Sequence, residues 1–198
     1  MRSVIAAVLL AVITGTSVYG EVKTMTTTLN GKKVLLIIAA NGFQDEEFSQ
    51  PYNLLSKLGV SVKIACSRKD KAQGKFGRQV TPDFILAECK ADDYDAVVFI
   101  GGPGATEYFN DPGALALARD TVSKGKILGA ICIAPVILAN AGLLKNKKAT
   151  VFPSEEDQLA NQGAKLVKQN VVVDGKIVTA SGPQAAREFA ETLVRLMQ

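Results

Sequence analysis

Three short apolar runs, at residues 33–40, 94–100 and 126–131, each stop abruptly at a loop of small or polar residues. Each loop leads into a stretch with helical spacing. Continuous Val/Ile/Leu runs without polar alternation suit strands covered on both faces, which is the habit of parallel sheets. Between them, Phe48, Tyr52, Leu55 and Leu58 recur at helical intervals behind Asp45, which is placed to cap that helix, with Gly59 to end it and Pro51 to kink it. Residues 60–65 form a second strand, and Asp111-Pro112 opens a helix with Leu115, Ala118 and Val122 on one face. Residues 67–90, punctuated by Gly74, Gly77 and Pro82, read as a hairpin or meander.

Toward the C-terminus, residues 149–152 read as a short strand, and Ser154 to Asp157 as a capping box for a short helix. Asp174-Gly175 is a two-residue hairpin turn, and Ser181-Gly182-Pro183 opens a last helix burying Phe189, Leu193 and Leu196. Alternating strands and helices predict an α/β fold: a three-layer sandwich with a mostly parallel central sheet and helices on both faces. In such a sheet ligands bind beyond the carboxyl ends of the strands. Loops 41–47, 101–106 and 132–135 converge there.

The N-terminus has a different character. Met1-Arg2 precedes an apolar run from Val4 to Ile13, then small and polar residues up to Gly20. One positive charge, a short apolar core and a small residue at the end predict a secretory signal peptide over residues 1–20 and an exported, periplasmic or secreted protein. The run is too short for a comfortable bilayer span, so no stable membrane span is expected after its removal. Residues 21–31 read as a polar lead-in, and 32–198 as a single domain. The net charge of +4 on 198 residues is spread along the chain. The cluster Lys145, Lys147 and Lys148 has no interleaved aromatics, and no nucleic-acid partner is expected.

Cys132 is the candidate nucleophile. It sits between the strand at 127–131 and Pro135, which suits a first helical turn. A thiol at a helix N-terminus has the positive dipole end and free amides beside it, which favours thiolate. The amide of Ile133 is placed to donate to an oxyanion. The chain contains no histidine, so the usual base for a cysteine nucleophile is missing. Glu47 is the candidate proton carrier, because a carboxyl in a poorly solvated pocket near sulfur has a raised pKa. Gly101, Gly102 and Gly104 do not spell a nucleotide fingerprint; they are either simple turn residues or a loop whose amides face the thiol pocket. Cys66 and Cys89 read as small half-buried residues, with a disulfide between them conceivable in an oxidising compartment. Without histidine the cysteine spacing gives no metal pattern, and no metal or cofactor is expected.

The segments Asp-Glu-Glu-Phe-Ser-Gln-Pro-Tyr (45–52), Tyr-Asp-Ala-Val-Val-Phe-Ile-Gly-Gly-Pro-Gly (94–104), Ala-Ile-Cys-Ile-Ala-Pro (130–135) and residues 171–183 together resemble the DJ-1/PfpI superfamily. The resemblance implies a flavodoxin-like sandwich, as a homodimer or higher homo-oligomer. It implies that Cys132 is the reactive cysteine, Glu47 its acidic partner, and that the amides of Gly102 and Ile133 line an oxyanion-type pocket, to which the loop reading adds Gly101. Where the protease-like branch has a histidine after the cysteine, this chain has Ile133; where the DJ-1-like branch has one further on, Phe152 stands at about that place. No Cys–His–acid triad can form, and peptidase activity loses its support. Three readings follow: a glyoxalase/deglycase-type or related hydrolase or lyase using Cys132 and Glu47 on a small electrophile; a redox-sensing or stress-protective protein in which an oxidant modifies Cys132; and a binding protein that keeps the pocket without turnover.

Overall fold

The computed structural model describes residues 28–198. The signal segment read at 1–20 and residues 21–27 of the lead-in lie outside them. From the start of the described chain, Leu29 is already in the core, its N–H donating to the Leu58 carbonyl at 2.8 Å.

The first half runs β1 (Lys33–Ile37), β2 (Asn41–Phe43), α1 (Asp45–Lys57), β3 (Ser61–Cys66), β4 (Ala72–Gly74), β5 (Gln79–Val80), β6 (Phe84–Ile85) and β7 (Ala96–Phe99). The second runs α2 (Pro112–Ser123), β8 (Ile127–Ile131), α3 (Pro135–Asn140), β9 (Lys148–Ala149), α4 (Glu156–Asn161), β10 (Lys165–Leu166), β11 (Val171–Asp174), β12 (Ile177–Ala180) and α5 (Ala186–Met197). The main sheet has the order β11-β12-β8-β7-β1-β3-β6. All its pairs are parallel except β11 with β12. Its five long parallel strands therefore follow the flavodoxin-like order, with the reversal of winding between β1 and β7.

Strand alternation distributes the apolar runs to two cores. Val34 and Leu36 of β1 face the layer of α1 and α5, with Phe48, Leu55, Phe189 and Leu193. Leu35 and Ile37 face the layer of α2, α3 and α4, with Leu117, Val136 and Leu159. This is the three-layer sandwich expected from the run lengths, because a strand with no polar face must be covered twice.

Several local expectations shift. The N-cap of α1 is Gln44, not Asp45: its side-chain oxygen accepts the N–H groups of Glu46 at 2.6 Å and Glu47 at 3.0 Å. The helix runs on through Pro51, which is buried and has no N–H for the Glu47 carbonyl. The buried stripe of α2 is Ala114, Leu117, Ala118 and Thr121 rather than the one through Leu115 and Val122. Of the strand read at 149–152 only Ala149 belongs to one, the two-residue β9, which pairs with β10. No capping box forms at Ser154; the N-cap of α4 is Glu155, without a side-chain bond. Asp174 pairs with Ile177, so the hairpin turn is Gly175-Lys176, one residue later than read. Cys66 lies in the core on the α1/α5 side and Cys89 packs on the opposite side of the sheet, so they form no disulfide and all three cysteines are free thiols.

Candidate functional site

Strand β8 carries the chain to Cys132, where the backbone turns sharply with φ 65°. A side chain in this left-handed region costs about 1–2 kcal/mol, and the surroundings must hold it there. They do so from both sides. The Cys132 N–H donates to the Ala180 carbonyl at the end of β12 at 2.8 Å, and its own carbonyl accepts the Phe152 N–H at 2.8 Å. Pro135 follows at the first position of α3, as its missing N–H allows.

Glu47 comes from the first turn of α1 and is fully buried. Its Oε2 accepts the Gly101 N–H at 3.1 Å, while Oε1 finds no well-aligned donor. The Cys132 thiol lies against the same carboxyl. Gly101 is what lets them meet. A methyl group there would stand 2.5 Å from Cys132 Cβ and 2.5 Å from Glu47 Oε2. Gly102, with φ 99°, is hemmed in equally: a methyl would be 2.4 Å from both the Gln44 nitrogen and the Gly42 oxygen. The Gln44 N–H in turn donates to the Gly101 carbonyl at 2.9 Å, tying the cap of α1 to the loop after β7.

The structure thus gathers Cys132, Glu47, Gly101, Gly102 and Ile133 at the carboxyl edge of the sheet. The amides of Gly102 and Ile133 point toward the sulfur. The Gly101 amide does not join them: Glu47 takes it, so Gly101 acts as a spacer and carboxylate donor rather than part of an oxyanion pocket.

The electrostatics differ from the expected thiolate. Burial pushes the Cys132 thiol up to about 12; the neighbouring Glu47 charge adds to this, and the Gly102 and Ile133 amides only partly oppose it. The residue is 6% exposed, and α3 spans just six residues, too short to supply a strong dipole. Burial also raises Glu47 to about 7, against the lowering effects of the Cys132 contact, the Gly101 N–H and the Lys75 charge. Burial and the neighbouring carboxyl thus work against ionisation of the sulfur, and burial lifts the Glu47 carboxyl above the ordinary carboxylate range.

Outside these residues a cavity of about 360 Å³ opens over the sulfur. Its wall includes Lys75, Phe76 and Ser154, to which the sequence reading gives no site role, and Phe152, which the resemblance sets at about the place of a histidine. The signal at Phe76 was an aromatic at the tip of a Gly74–Gly77 turn, where nothing local can bury it. No group of three or more His, Cys, Asp or Glu among the described residues is arranged to hold a metal ion. No helix among them is long and apolar enough to cross a membrane.

Comparison with known proteins places this arrangement. The DJ-1/PfpI family model matches residues 32–196. An uncharacterized protein of Methanocaldococcus jannaschii is 36% identical over 173 residues, covering 86% of this chain and 84% of the relative. A deglycase of Pyrococcus horikoshii is 32% identical over 164 residues, covering 83% and 99%. The Drosophila melanogaster protein dj-1beta is 35% identical over 161 residues, covering 80% and 86%. Among solved structures, a ThiJ/PfpI domain protein from Brachyspira murdochii superposes with a TM-score of 0.82 at 32% identity, covering 84% of this chain and 98% of that one. With the flavodoxin-like strand order and the matched span in agreement, the chain belongs to the DJ-1/PfpI family.

Proposed function

We propose that this protein is a cysteine-dependent enzyme acting on small reactive carbonyl compounds, of the glyoxalase/deglycase type, with Cys132 as nucleophile and Glu47 as proton carrier. The observation that carries the reading is the buried Glu47 carboxyl, raised to about 7, in contact with a thiol held at a strained turn on a cavity wall. A carboxyl titrating near working pH is matched to general acid–base duty. As the Cys132 sulfur forms a bond to the carbonyl carbon, its proton passes to the ionised Glu47, and the C=O π pair moves onto oxygen. The Gly102 and Ile133 amides face that oxygen, and the protonated Glu47 returns its proton to it. The product is a neutral hemithioacetal, reached without histidine. The deglycase of Pyrococcus horikoshii and its 32% identity support the substrate class.

The test is turnover of methylglyoxal and glyoxal. Cys132→Ser is expected to fall to background, and Glu47→Gln to lose about 10²–10⁴-fold in kcat/KM together with the rise of activity through neutrality. Wild-type protein inert toward an aldehyde panel overturns the reading.

A second reading, oxidation of Cys132 as a stress sensor, draws on the same two amides, which could bind the oxygens of a sulfinate. Mild peroxide followed by mass spectrometry should then modify Cys132 ahead of Cys66 and Cys89; equal modification removes it. We also propose that the chain is exported after cleavage near Gly20 and assembles as a homo-oligomer. The mass of the protein recovered from an expressing host, and its size in solution, test these two points.

A further inference from the structure

We propose that the cavity over Cys132 selects carbonyl compounds that combine an apolar, aryl-sized body with a carboxylate, recognised by Phe76 and Phe152 on the walls and by Lys75. This rests on the reading that Cys132 attacks a carbonyl carbon, and adds the class of substrate. Four large apolar side chains are substantially exposed among the described residues: Phe76, Phe152, Leu166 and Val173. Two of the four, Phe76 at 72% and Phe152 at 37%, line this one cavity. Isolated exposed apolar residues need no explanation, but two aromatics flanking a thiol do.

Phe76 is held in place. Asp45 Oδ2 accepts the Phe76 N–H at 2.9 Å and Asp45 Oδ1 accepts the Arg78 N–H at 2.9 Å. The Lys75 N–H donates to the Phe43 carbonyl at 2.7 Å, and a methyl at Gly74 would stand 2.5 Å from Asp45 Oδ2. The hairpin tip is therefore bound to the same helical turn that carries Glu47. The hairpin backbone is thus anchored beside Glu47, and it carries the exposed Phe76 ring and Lys75 ammonium to the cavity.

Among the described residues, Lys75 is the only charged side chain on the cavity wall. Its Nζ lies 5.4 Å from the Phe76 ring centroid, and it makes no ion pair among the described residues. Its charge is felt at Glu47. A lone cation between apolar walls favours an anionic group on the ligand and repels a cationic one. The cavity volume, near the low end of the roughly 300–1,000 Å³ usual for ligand pockets, suits one ring with a short substituent. The step is the addition already described: a C–S bond forms, the π pair goes to oxygen, and the thiol proton follows through Glu47, with no further reactant.

Recognition and reactivity are tested separately. Calorimetric titration of the full protein with unreactive p-toluate, p-toluamide and 4-methylbenzylammonium reads recognition alone. The carboxylate is expected to bind about tenfold tighter than the amide, with the ammonium weakest. Lys75→Met should erase that order, Lys75→Arg should keep it, and Phe76→Ser should weaken carboxylate and amide alike. Equal binding of the three probes, or an order that survives Lys75→Met, overturns the proposal. Protection of Cys132 from iodoacetamide by 4-carboxybenzaldehyde against 4-formylbenzamide reads the addition. Selective binding of p-toluate without protection by either aldehyde leaves the selectivity standing and sinks the carbonyl chemistry. Equal protection by both does the reverse.

Discussion

At the scale of single residues, burial of the Glu47 carboxyl weakens the protein. That group titrates near 7 when folded and near 4.5 when exposed. Below 4.5 both states hold the proton and nothing is lost. As pH rises from 4.5 to 7, the unfolded chain ionises while the folded one resists, so stability falls through that window. The full penalty, about 3 kcal/mol, applies above it. Glu47→Gln cannot ionise. Its stability relative to wild type is therefore expected to improve by about that amount between pH 4 and pH 8, read by urea unfolding at the two values. An unchanged difference would mean that the carboxyl is ordinary. Gly101→Ala should cost about 1–3 kcal/mol by overpacking and should also abolish reactivity of Cys132, since the methyl displaces either the sulfur or Glu47. Denaturant melts with parallel alkylation kinetics check both parts.

Among the elements, the β4–β5 hairpin shows how a cap residue missed locally can matter elsewhere. Asp45 reads from sequence as an N-cap, a role its type favours. Gln44 takes that role because its longer side chain curls back onto the Glu46 and Glu47 amides. Asp45 is thereby released to hold the Phe76 and Arg78 amides, residues more than thirty positions away. Asp45→Ala should loosen the hairpin tip while leaving α1 formed. The Phe76 and Arg78 amides are expected to exchange with solvent about tenfold faster or more, from the roughly 1.5–3 kcal/mol that hydrogen bonds to a charged group contribute. Amide hydrogen exchange resolves this, and unchanged rates at both positions would show that the hairpin stands by itself. The Asp174-Gly175 turn was legible to within one residue because Gly175 must supply a positive φ, here 63°, whatever the tertiary context. The box at Ser154 was not, since a 3₁₀ turn at Pro153–Glu155 precedes α4 and its Ser154 side chain bonds Glu155 instead.

For the whole molecule, the central sheet divides two apolar cores, and the C-terminal helix seals one of them. Phe189 of α5 is fully buried and stands over Gly129 of β8, where a methyl would lie 3.0 Å from its ring. Phe189→Ala is expected to cost about 3–5 kcal/mol and to loosen the strand that delivers Cys132. Calorimetric melting measures the first effect, and faster exchange of the β8 amides the second. The strands, their parallel order and the convergence of three loops were legible in the apolar runs and the Gly/Pro punctuation, because burial on both faces and backbone conformation are properties of local composition. The meeting of Cys132 with Glu47 was readable only as a placement at one sheet edge. Burial and the neighbouring carboxyl oppose the thiolate that a helix terminus alone would favour, since desolvation depends on everything packed around the sulfur. The cavity wall of Lys75, Phe76 and Phe152 was decided by tertiary structure, because residues far apart in the chain are brought together there by the hairpin's bond to Asp45 and by the Phe152 amide on the Cys132 carbonyl. Periodicity and turn chemistry act over a few residues and so survive in the sequence. Solvent exclusion and close approach are collective, and only the folded chain determines them.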